Sequence, residues 1–133
     1  MADRNHAVID GYFAAINSKD TDAMLAHFAD DAVAEWPQSG EIIRGRALIG
    51  QVTSRTPRLP LTLLHRIVGG GDVLVAEWTA DYGDGKAWRN ASLFELRDGK
   101  ITRKTDYFGA AFDPPAWRRE LTAVEPRPVP VAP

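Results

Sequence analysis

The most constraining feature of this 133-residue sequence is a series of β-rich runs that begins after Pro60. Short turns rich in glycine and aspartate separate the runs, and they read GGGD, GDGK and RDGK. Such turns favour tight hairpins because glycine reaches the positive φ angles that the connections require. The second half of the chain is therefore predicted to form four successive antiparallel strands.

The first 60 residues have a different character. Apolar residues recur at helical spacing in three stretches, around Tyr12, Met24 and Ile49, and a short β-rich run, AVAEWP, stops at Pro37. Helices followed by a meander of strands are typical of the α+β class. We therefore predict a cone-shaped half-barrel, in which three N-terminal helices pack on a strongly curved antiparallel sheet and enclose a pocket.

Length and composition restrict the classes of function. The length predicts one domain, which we place at residues 1–124, before a proline-rich tail at residues 125–133. A net charge of −2 without a basic run argues against a nucleic-acid partner, and the absence of cysteine excludes disulfides and thiolate metal sites. No apolar stretch approaches the roughly 20 residues needed to span a membrane, and the polar N-terminus lacks a signal-peptide apolar region. We expect a cytoplasmic protein with neither a membrane nor a nucleic-acid partner.

The sequence offers no motif for a cofactor. His6, His27 and His65 are far apart in sequence and lack the spacing of metal ligands. The GGGD stretch lies between two strands, without the helix and lysine that follow a phosphate-binding loop. We therefore expect neither a metal nor a cofactor.

A carboxylate interrupts the apolar end of the last predicted strand, in KTDYF. Because strand residues alternate between two faces, Asp106 should point the same way as Lys104 and Phe108. Asp106 lies either at a rim in water or inside an enclosed place that needs a charge. The residues alone leave both alternatives open.

Three stretches carry a family resemblance. AVIDGYFAAINSKDTDAMLAHFADDAVAEWP, IRGRALIG and RDGKITRKTDYFG resemble the SnoaL-like branch of the nuclear transport factor two-like superfamily, over most of residues 5–112. The resemblance implies the half-barrel fold and matches Asp106 to a catalytic aspartate that the last strand contributes to the pocket. It leaves the reaction open, because the fold hosts polyketide cyclases, steroid isomerases, epoxide hydrolases, dehydratases and binding modules.

Two enzyme classes can be compared with this chain by position. The epoxide hydrolases add an arginine and a second aspartate from an earlier strand, but here Glu77 and Thr79 fall at those positions. A one-residue slip places Trp78 and Ala80 there instead, so neither register supplies the arginine.

The steroid isomerases match through a tyrosine that donates a hydrogen bond, which corresponds to Tyr12. Their base falls on Trp36 and their protonated acid on Ser92, so two of their three groups are missing.

Strand alternation assigns the two faces of the predicted sheet. A face that mixes aromatic with hydrogen-bonding residues is typical of a pocket wall, and we predict that it lines the cavity together with Glu77. This face comprises Trp88, Asn90, Ser92 and Phe94. The apolar face of the preceding strand is predicted to be the outer side, where a homodimer would cover it. It comprises Leu74, Ala76, Trp78, Ala80 and Tyr82, which Ala91 and Leu93 extend.

These assignments lead to a hypothesis about chemistry. Asp106, Tyr12 and Asn90 are the candidate catalytic residues, because a desolvated carboxylate is a strong proton acceptor and the other two can donate hydrogen bonds. If Lys104 points inward, it would instead pair with Asp106.

The candidate residues for binding the substrate are Trp36, Glu77, Trp88, Ser92, Phe94 and Phe108. The resulting hypothesis is a cofactor-independent cyclase, isomerase, dehydratase or hydrolase acting on a small, largely apolar carbonyl compound or epoxide. The alternative is a non-catalytic module that binds such a molecule.

Overall fold

The computed structural model describes residues 4–132 and has the α+β architecture that the sequence predicts. Three helices and two strands precede a four-strand meander. The elements are α1 Arg4–Asn17, α2 Thr21–Leu25, β1 Phe28–Trp36, β2 Glu41–Arg44, α3 Arg46–Arg55, β3 Leu61–Gly70, β4 Val73–Asp81, β5 Trp88–Arg97 and β6 Lys100–Tyr107. None of the helices within residues 4–132 is long and apolar enough to cross a membrane.

The six strands form one curved, unclosed sheet in the order β2-β1-β6-β5-β4-β3. Consecutive strands from β3 to β6 pair antiparallel, as the hairpin turns predict, and β1 pairs antiparallel with β2. The β1–β6 pair is parallel, so the expectation of a wholly antiparallel sheet holds for four of the five strand pairs. The helices cover the concave face of the half-barrel.

Local sequence explains the main boundaries. Asp20 caps α2 by accepting a hydrogen bond from the backbone N–H of Ala23 at 2.9 Å. The helix ends at Leu25, and Phe28 already belongs to β1. In the RDGK turn, Asp98 and Gly99 both have positive φ angles, 51° and 76°, as a two-residue hairpin connection requires.

Pairing across β4 and β5 overturns the predicted outer face. Leu74 lies opposite Phe94 and Trp78 lies opposite Asn90, and residues directly opposite each other share a face. Trp78 packs under the protein's own first helix, with its ring centroid 5.2 Å from that of Phe13.

The prediction that the apolar stripe of β4 forms an outer surface is therefore wrong, because these residues belong to the core. Leu74, Ala76 and Ala80 have no exposed surface, and Trp78 is 6% exposed. A homodimer cannot form through these side chains. Self-association through the true outer face of the sheet stays a prediction.

The proline-rich tail contacts the outer face of the sheet. Residues 122–132 contain no helix or strand, in keeping with their proline content. Arg127 nevertheless lies beside Glu77, and the carbonyl oxygen of Pro128 accepts a hydrogen bond from Arg89. We call residues 125–132 the strap, since they cross the sheet at this point.

Candidate active site

A cavity of about 500 Å³, here called the inner cavity, lies between the helices and the concave face of the sheet. This volume falls within the range of small-molecule pockets, roughly 300–1,000 Å³. Residues from the three helices, from β1, β3, β4, β5 and β6, and from the connecting loops form its wall. They are Tyr12, Phe13, Ile16, Met24, Trp36, Gln38, Ser39, Val52, Thr53, Thr56, Leu59, Pro60, Thr62, Trp78, Tyr82, Trp88, Lys104, Asp106 and Phe108.

Aromatic rings make up much of the wall. The Phe108 ring stands edge-on to two tryptophans, with centroid distances of 6.4 Å to Trp36 and 6.5 Å to Trp78. Tyr82 and Trp88 form another edge-on pair at 5.8 Å. Edge-to-face contacts of this kind fix ring orientations and leave apolar surface towards a ligand.

An ion pair sits at one place on this wall. Lys104 and Asp106 are two residues apart on β6, so strand alternation directs both side chains inward. The Lys104 Nζ atom lies 2.6 Å from Oδ1 and 2.5 Å from Oδ2 of Asp106. Lys104 is 6% exposed and Asp106 is 3% exposed, so the pair is almost completely removed from bulk water.

Two further donors hold the Asp106 carboxylate. Ser92 lies directly opposite Asp106 on β5 and donates to Oδ1 at 2.5 Å, while the indole N–H of Trp36 donates to Oδ2 at 3.0 Å. The indole N–H of Trp78 in turn donates to Ser92 Oγ at 2.9 Å. Because an indole can only donate, Ser92 accepts from Trp78 and directs its own proton to Asp106.

Tyr12 brings α1 to the ion pair. The Lys104 ammonium lies 5.0 Å from the centroid of the Tyr12 ring and 5.9 Å from that of Phe94, within the range of cation–π contacts. Burial raises the pKa of the Tyr12 phenol above 10.0, and the nearby Lys104 charge offsets only part of that rise. Tyr12 therefore remains protonated near neutral pH and can donate a hydrogen bond.

Opposing influences act on the ammonium of Lys104. Burial alone would lower the pKa of Lys104, but the negative charge of Asp106 and the interactions with Tyr12 outweigh that effect and raise it above 10.5. Lys104 therefore remains positively charged near neutral pH. The structure decides the alternative that the sequence left open for Lys104, because this side chain points inward and pairs with Asp106.

The structure does not bring Asn90 into the inner cavity. Asn90 donates to the Tyr82 hydroxyl at 3.4 Å and accepts from the backbone N–H of Gly109 at 3.3 Å. Burial raises the pKa of Tyr82 to about 12, with the Asn90 hydrogen bond acting weakly in the opposite direction. Asn90 thus supports Tyr82, which does line the cavity, and does not contact the ion pair.

The predicted residues other than Asn90 and Glu77 divide into two groups. Asp106, Tyr12, Trp36, Trp88 and Phe108 line the inner cavity as predicted. Ser92 and Phe94 point towards the same side but have no exposed surface and lie behind the wall.

Glu77 was wrongly assigned to the cavity. It lies directly opposite Ala91 on β5, so it points to the outer face, where it pairs with Arg66 and Arg127. The prediction failed because Glu77 was placed on the same face as the β5 residues that in fact point the other way.

Sequence reasoning missed Trp78 and Tyr82, and it left Lys104 undecided. Pairing Leu74 with Phe94 in the hairpin would have put Trp78 on the inner face, because opposite residues share a face. The parity of Lys104 was visible in KTDYF, but parity alone could not show that the inward side of this strand is enclosed.

Comparisons with known proteins agree with this fold. The family model for the SnoaL-like domain matches residues 9–104. A nuclear transport factor two-like protein of unknown function from Burkholderia xenovorans LB400 is 30% identical, with a TM-score of 0.85, over 92% of this chain and 96% of that protein.

Two further solved structures bear names that suggest activities. A candidate ketosteroid isomerase from Kribbella flavida DSM 17836 is 25% identical, with a TM-score of 0.83, over 98% of this chain and 96% of that one. A candidate polyketide cyclase from Xanthomonas campestris pv. campestris is 28% identical, with a TM-score of 0.67, over 80% of this chain and 90% of that one. With the family match extending over most of its length, this chain belongs to the SnoaL-like domain family of the nuclear transport factor two-like fold.

Proposed function

We propose that this protein is a cofactor-independent enzyme that transfers a proton on a small, largely apolar carbonyl compound. One observation carries the proposal, namely the Lys104–Asp106 ion pair at the wall of an otherwise aromatic and aliphatic cavity. Asp106 is the proton acceptor, and Lys104 with Tyr12 stabilises the negative charge that develops on the carbonyl oxygen.

Stability alone does not account for such a pair. Taking both charges out of water costs free energy that their attraction often fails to recover, so hydrophobic residues of similar volume are commonly as stable. Titratable groups with strongly perturbed environments in a cleft are enriched at functional sites. A buried pair beside a ligand-sized cavity therefore supports a chemical role.

The donors around Asp106 indicate how a proton could reach it. Its two oxygens accept four hydrogen bonds in all, from Ser92, from Trp36 and two from Lys104. Ser92, behind the wall, and Trp36, in the wall, are short or rigid side chains, whereas Lys104 has a flexible four-carbon stem. Lys104 is therefore the donor that can move to free a lone pair of Asp106.

The proposed step follows from that asymmetry. A carbonyl oxygen that enters the cavity draws the Lys104 ammonium towards itself and exposes one carboxylate lone pair of Asp106. The carbon next to the carbonyl gives its proton to that lone pair, and its bonding electrons move onto the carbonyl oxygen. Lys104 and the Tyr12 hydroxyl then hold the oxyanion by hydrogen bonds, a contribution that is strong in a site without water.

The set of charged groups favours a carbonyl over an epoxide as substrate. Within residues 4–132, Asp106 is the only carboxylate in the wall of the inner cavity. The epoxide hydrolases that the chain resembles add an arginine and a second aspartate, and the described wall of the inner cavity contains neither. Isomerisation, cyclisation and dehydration can all begin with the single proton removal that Asp106 and Lys104 can perform.

Exchange of carbon-bound hydrogen tests this reaction without knowledge of the natural substrate. The full chain is incubated in D₂O with a panel of small cyclic ketones, and deuterium uptake next to the carbonyl is followed by NMR. We expect at least one ketone to exchange faster with the protein. The Asp106→Asn variant should lose at least about 100-fold of that acceleration. The control variant Asp113→Asn, changed at an exposed position in the segment after β6, should retain it.

Either of two results would overturn the proposal: no acceleration by the unmodified protein with any ketone, or equal acceleration by Asp106→Asn and the unmodified protein. Ligand binding, followed by quenching of tryptophan fluorescence, shows whether the variant retains its pocket.

A non-catalytic binding module is the second candidate, and one observation favours it. All four acceptor positions of Asp106 are already occupied without a ligand. A binding protein with this site would hold a polar group of its ligand against Lys104 and never expose Asp106. The same experiment separates the candidates, because a binder shows tryptophan quenching by ketones without any deuterium exchange.

We also propose self-association through the outer face of the sheet, now on different residues from those first predicted. Val73 is 53% exposed, and Ala91 and Leu93 lie half-buried on the neighbouring strand. Light scattering at micromolar concentration should give the mass of a dimer, and Leu93→Asp should reduce it to that of a monomer. A monomer mass for the unmodified protein would contradict this proposal.

A further inference from the structure

A second cavity, here called the outer cavity, lies on the opposite face of the sheet. Its volume is about 580 Å³, and its character differs from that of the inner cavity because charged and polar side chains form much of its wall. These include His65, Glu77, Thr79, Arg89 and Arg127. None of them takes part in the chemistry proposed for Asp106 and Lys104.

A strand irregularity adds side chains to this wall. The pairing of β3 with β4 shifts by one residue between Leu64 and Arg66, which leaves His65 without an opposite residue. As a result, the adjacent residues His65 and Arg66 both contact the outer side of β4. His65 contacts Thr79, and Arg66 pairs with Glu77. Bulges of this kind often redirect a side chain next to a functional site.

The buried Thr79 hydroxyl holds Arg89 in place. Its guanidinium donates to Thr79 Oγ1 at 3.0 Å, and the same oxygen lies 2.6 Å from His65 Nε2. Thr79 has no exposed surface, so this anchor is part of the sheet. A guanidinium carries five N–H donors, and the anchor fixes its position while occupying only one of them.

The outer cavity carries an excess of positive charge in a chain whose net charge is −2. Among the residues of its wall within 4–132, Arg89 and Arg127 stand with one carboxylate, Glu77, which also pairs with Arg66 beside the cavity. Burial and the charges of Arg127 and Arg89 lower the pKa of His65, so this imidazole is neutral near pH 7. The local electrostatic field therefore attracts an anion.

The strap makes only weak use of these arginines. The carbonyl oxygen of Pro128 accepts from Arg89 at 3.4 Å, and Arg127 approaches Glu77 at 4.0 Å. A neutral carbonyl is a poor partner for a guanidinium, whose planar fork fits the paired oxygens of a carboxylate or phosphate. The Pro128 carbonyl thus occupies a position that an anionic oxygen would fill better.

We propose that the outer cavity binds a small anionic molecule through its carboxylate or phosphate group. Arg89 is the fixed ligand of the anion and Arg127, on the strap, is the mobile one. The anion replaces the Pro128 carbonyl at Arg89 and draws Arg127 away from Glu77, so the strap closes over it.

Calorimetric titration of the full chain at low ionic strength tests this site, with inorganic phosphate and with acetate as separate probes. We expect saturable binding of at least one probe with one site per chain. Tighter binding of phosphate identifies a phosphate-bearing ligand, and tighter binding of acetate identifies a carboxylate. Each of the variants Arg89→Gln and Arg127→Gln should weaken binding about 10-fold, the effect of losing one charge-assisted hydrogen bond.

Arg103→Gln is the matched control, because Arg103 lies on the same face of the sheet but is paired with Glu35 and Glu95. It should leave the affinity unchanged. The proposal is overturned if neither probe saturates, or if all three variants lose affinity equally, since that pattern indicates general attraction by surface charge. Arg127→Gln decides the matter if Arg89→Gln fails to fold, because the strap lies outside the core.

Discussion

The two faces of the sheet carry the same kinds of charged side chain in opposite environments. On the concave face, Lys104 and Asp106 form one ion pair with both residues less than 10% exposed. On the convex face, Arg66 and Glu77 also form an ion pair, but their side chains are 68% and 29% exposed. The two faces thus carry the same type of ion pair in very different physical environments.

The two pairs differ in how well the remaining charge would be solvated if its partner were removed. On the convex face, water replaces the missing partner and screens the remaining charge. On the concave face, the remaining charge would stay in a wall of aromatic rings that cannot solvate it. The concave pair is thus expected to matter for stability and chemistry, and the convex pairs for local binding. The predictions below test that contrast in order of decreasing effect.

The largest effect is expected from separating the concave pair. Lys104→Met leaves Asp106 buried without its cation and should lower the free energy of unfolding by about 3–5 kcal/mol. The double variant Lys104→Met/Asp106→Asn removes the stranded charge and should recover a large part of that loss. Chemical denaturation measures the unmodified protein and both variants, and a double variant no more stable than Lys104→Met would contradict the view of a coupled, desolvated pair.

Removing the hydroxyl behind the pair should have an intermediate effect. Ser92→Ala leaves the Trp78 indole N–H without an acceptor and Asp106 Oδ1 without one donor, which should cost about 1–3 kcal/mol. Ser54→Ala, at an exposed position on α3, provides the control and should change stability little. Equal stabilities of the two variants would show that the Trp78–Ser92–Asp106 chain of hydrogen bonds contributes nothing.

The two tyrosines on the concave side of the sheet, Tyr12 and Tyr82, should ionise only at unusually high pH. The raised pKa values of Tyr12 and Tyr82 mean that folding favours their protonated forms. The stability that this preference contributes is therefore fully present below pH 10 and is lost as the pH rises from 10 through about 12, where Tyr82 ionises. Phenolate absorbance should show Tyr82 titrating near 12 in the native protein, and Tyr82→Phe should remove that transition. Titration of Tyr12 and Tyr82 near pH 10 without unfolding would contradict the burial of both residues.

The smallest effect is expected on the convex face. Glu77→Gln removes the carboxylate that pairs with Arg66 and Arg127, and it should change the free energy of unfolding by less than about 1 kcal/mol. Added salt should reduce even that difference, because exposed charges are screened. A loss as large as that of Lys104→Met would abolish the contrast between the two faces.

The positions of the strands could be predicted from the sequence because the signals are local. Asp98 and Gly99 fix the last hairpin through their own backbone preferences, and the Gly-Asp turn before Val73 fixes another. Helical spacing around Tyr12 and Ile49 likewise reflects contacts within a few residues. These features, with the family resemblance, were sufficient for the fold and for placing Asp106 in the pocket.

The faces of the strands needed non-local information. Alternation shows that Glu77 and Trp78 point in opposite directions, but not which of them the helices cover. Only the register between β4 and β5, with Trp78 opposite Asn90, ties the two strands to one common face. The wrong assignment of the β4 stripe followed from reading each strand separately.

By itself, then, the sequence determined the order of helices and hairpins, the shared parity of Asp106 and Lys104, and the family. The tertiary structure decided that α1 and the aromatic residues enclose the side of β6 to which both residues point. It also decided that Ser92 and Trp36 complete the carboxylate's partners and that Glu77 lies outside. The physical reason is that turn preferences and alternation act between near neighbours, whereas desolvation of a charge depends on every element packed around it. Whether two residues on one strand form a surface contact or a buried ion pair is therefore a property of the folded protein.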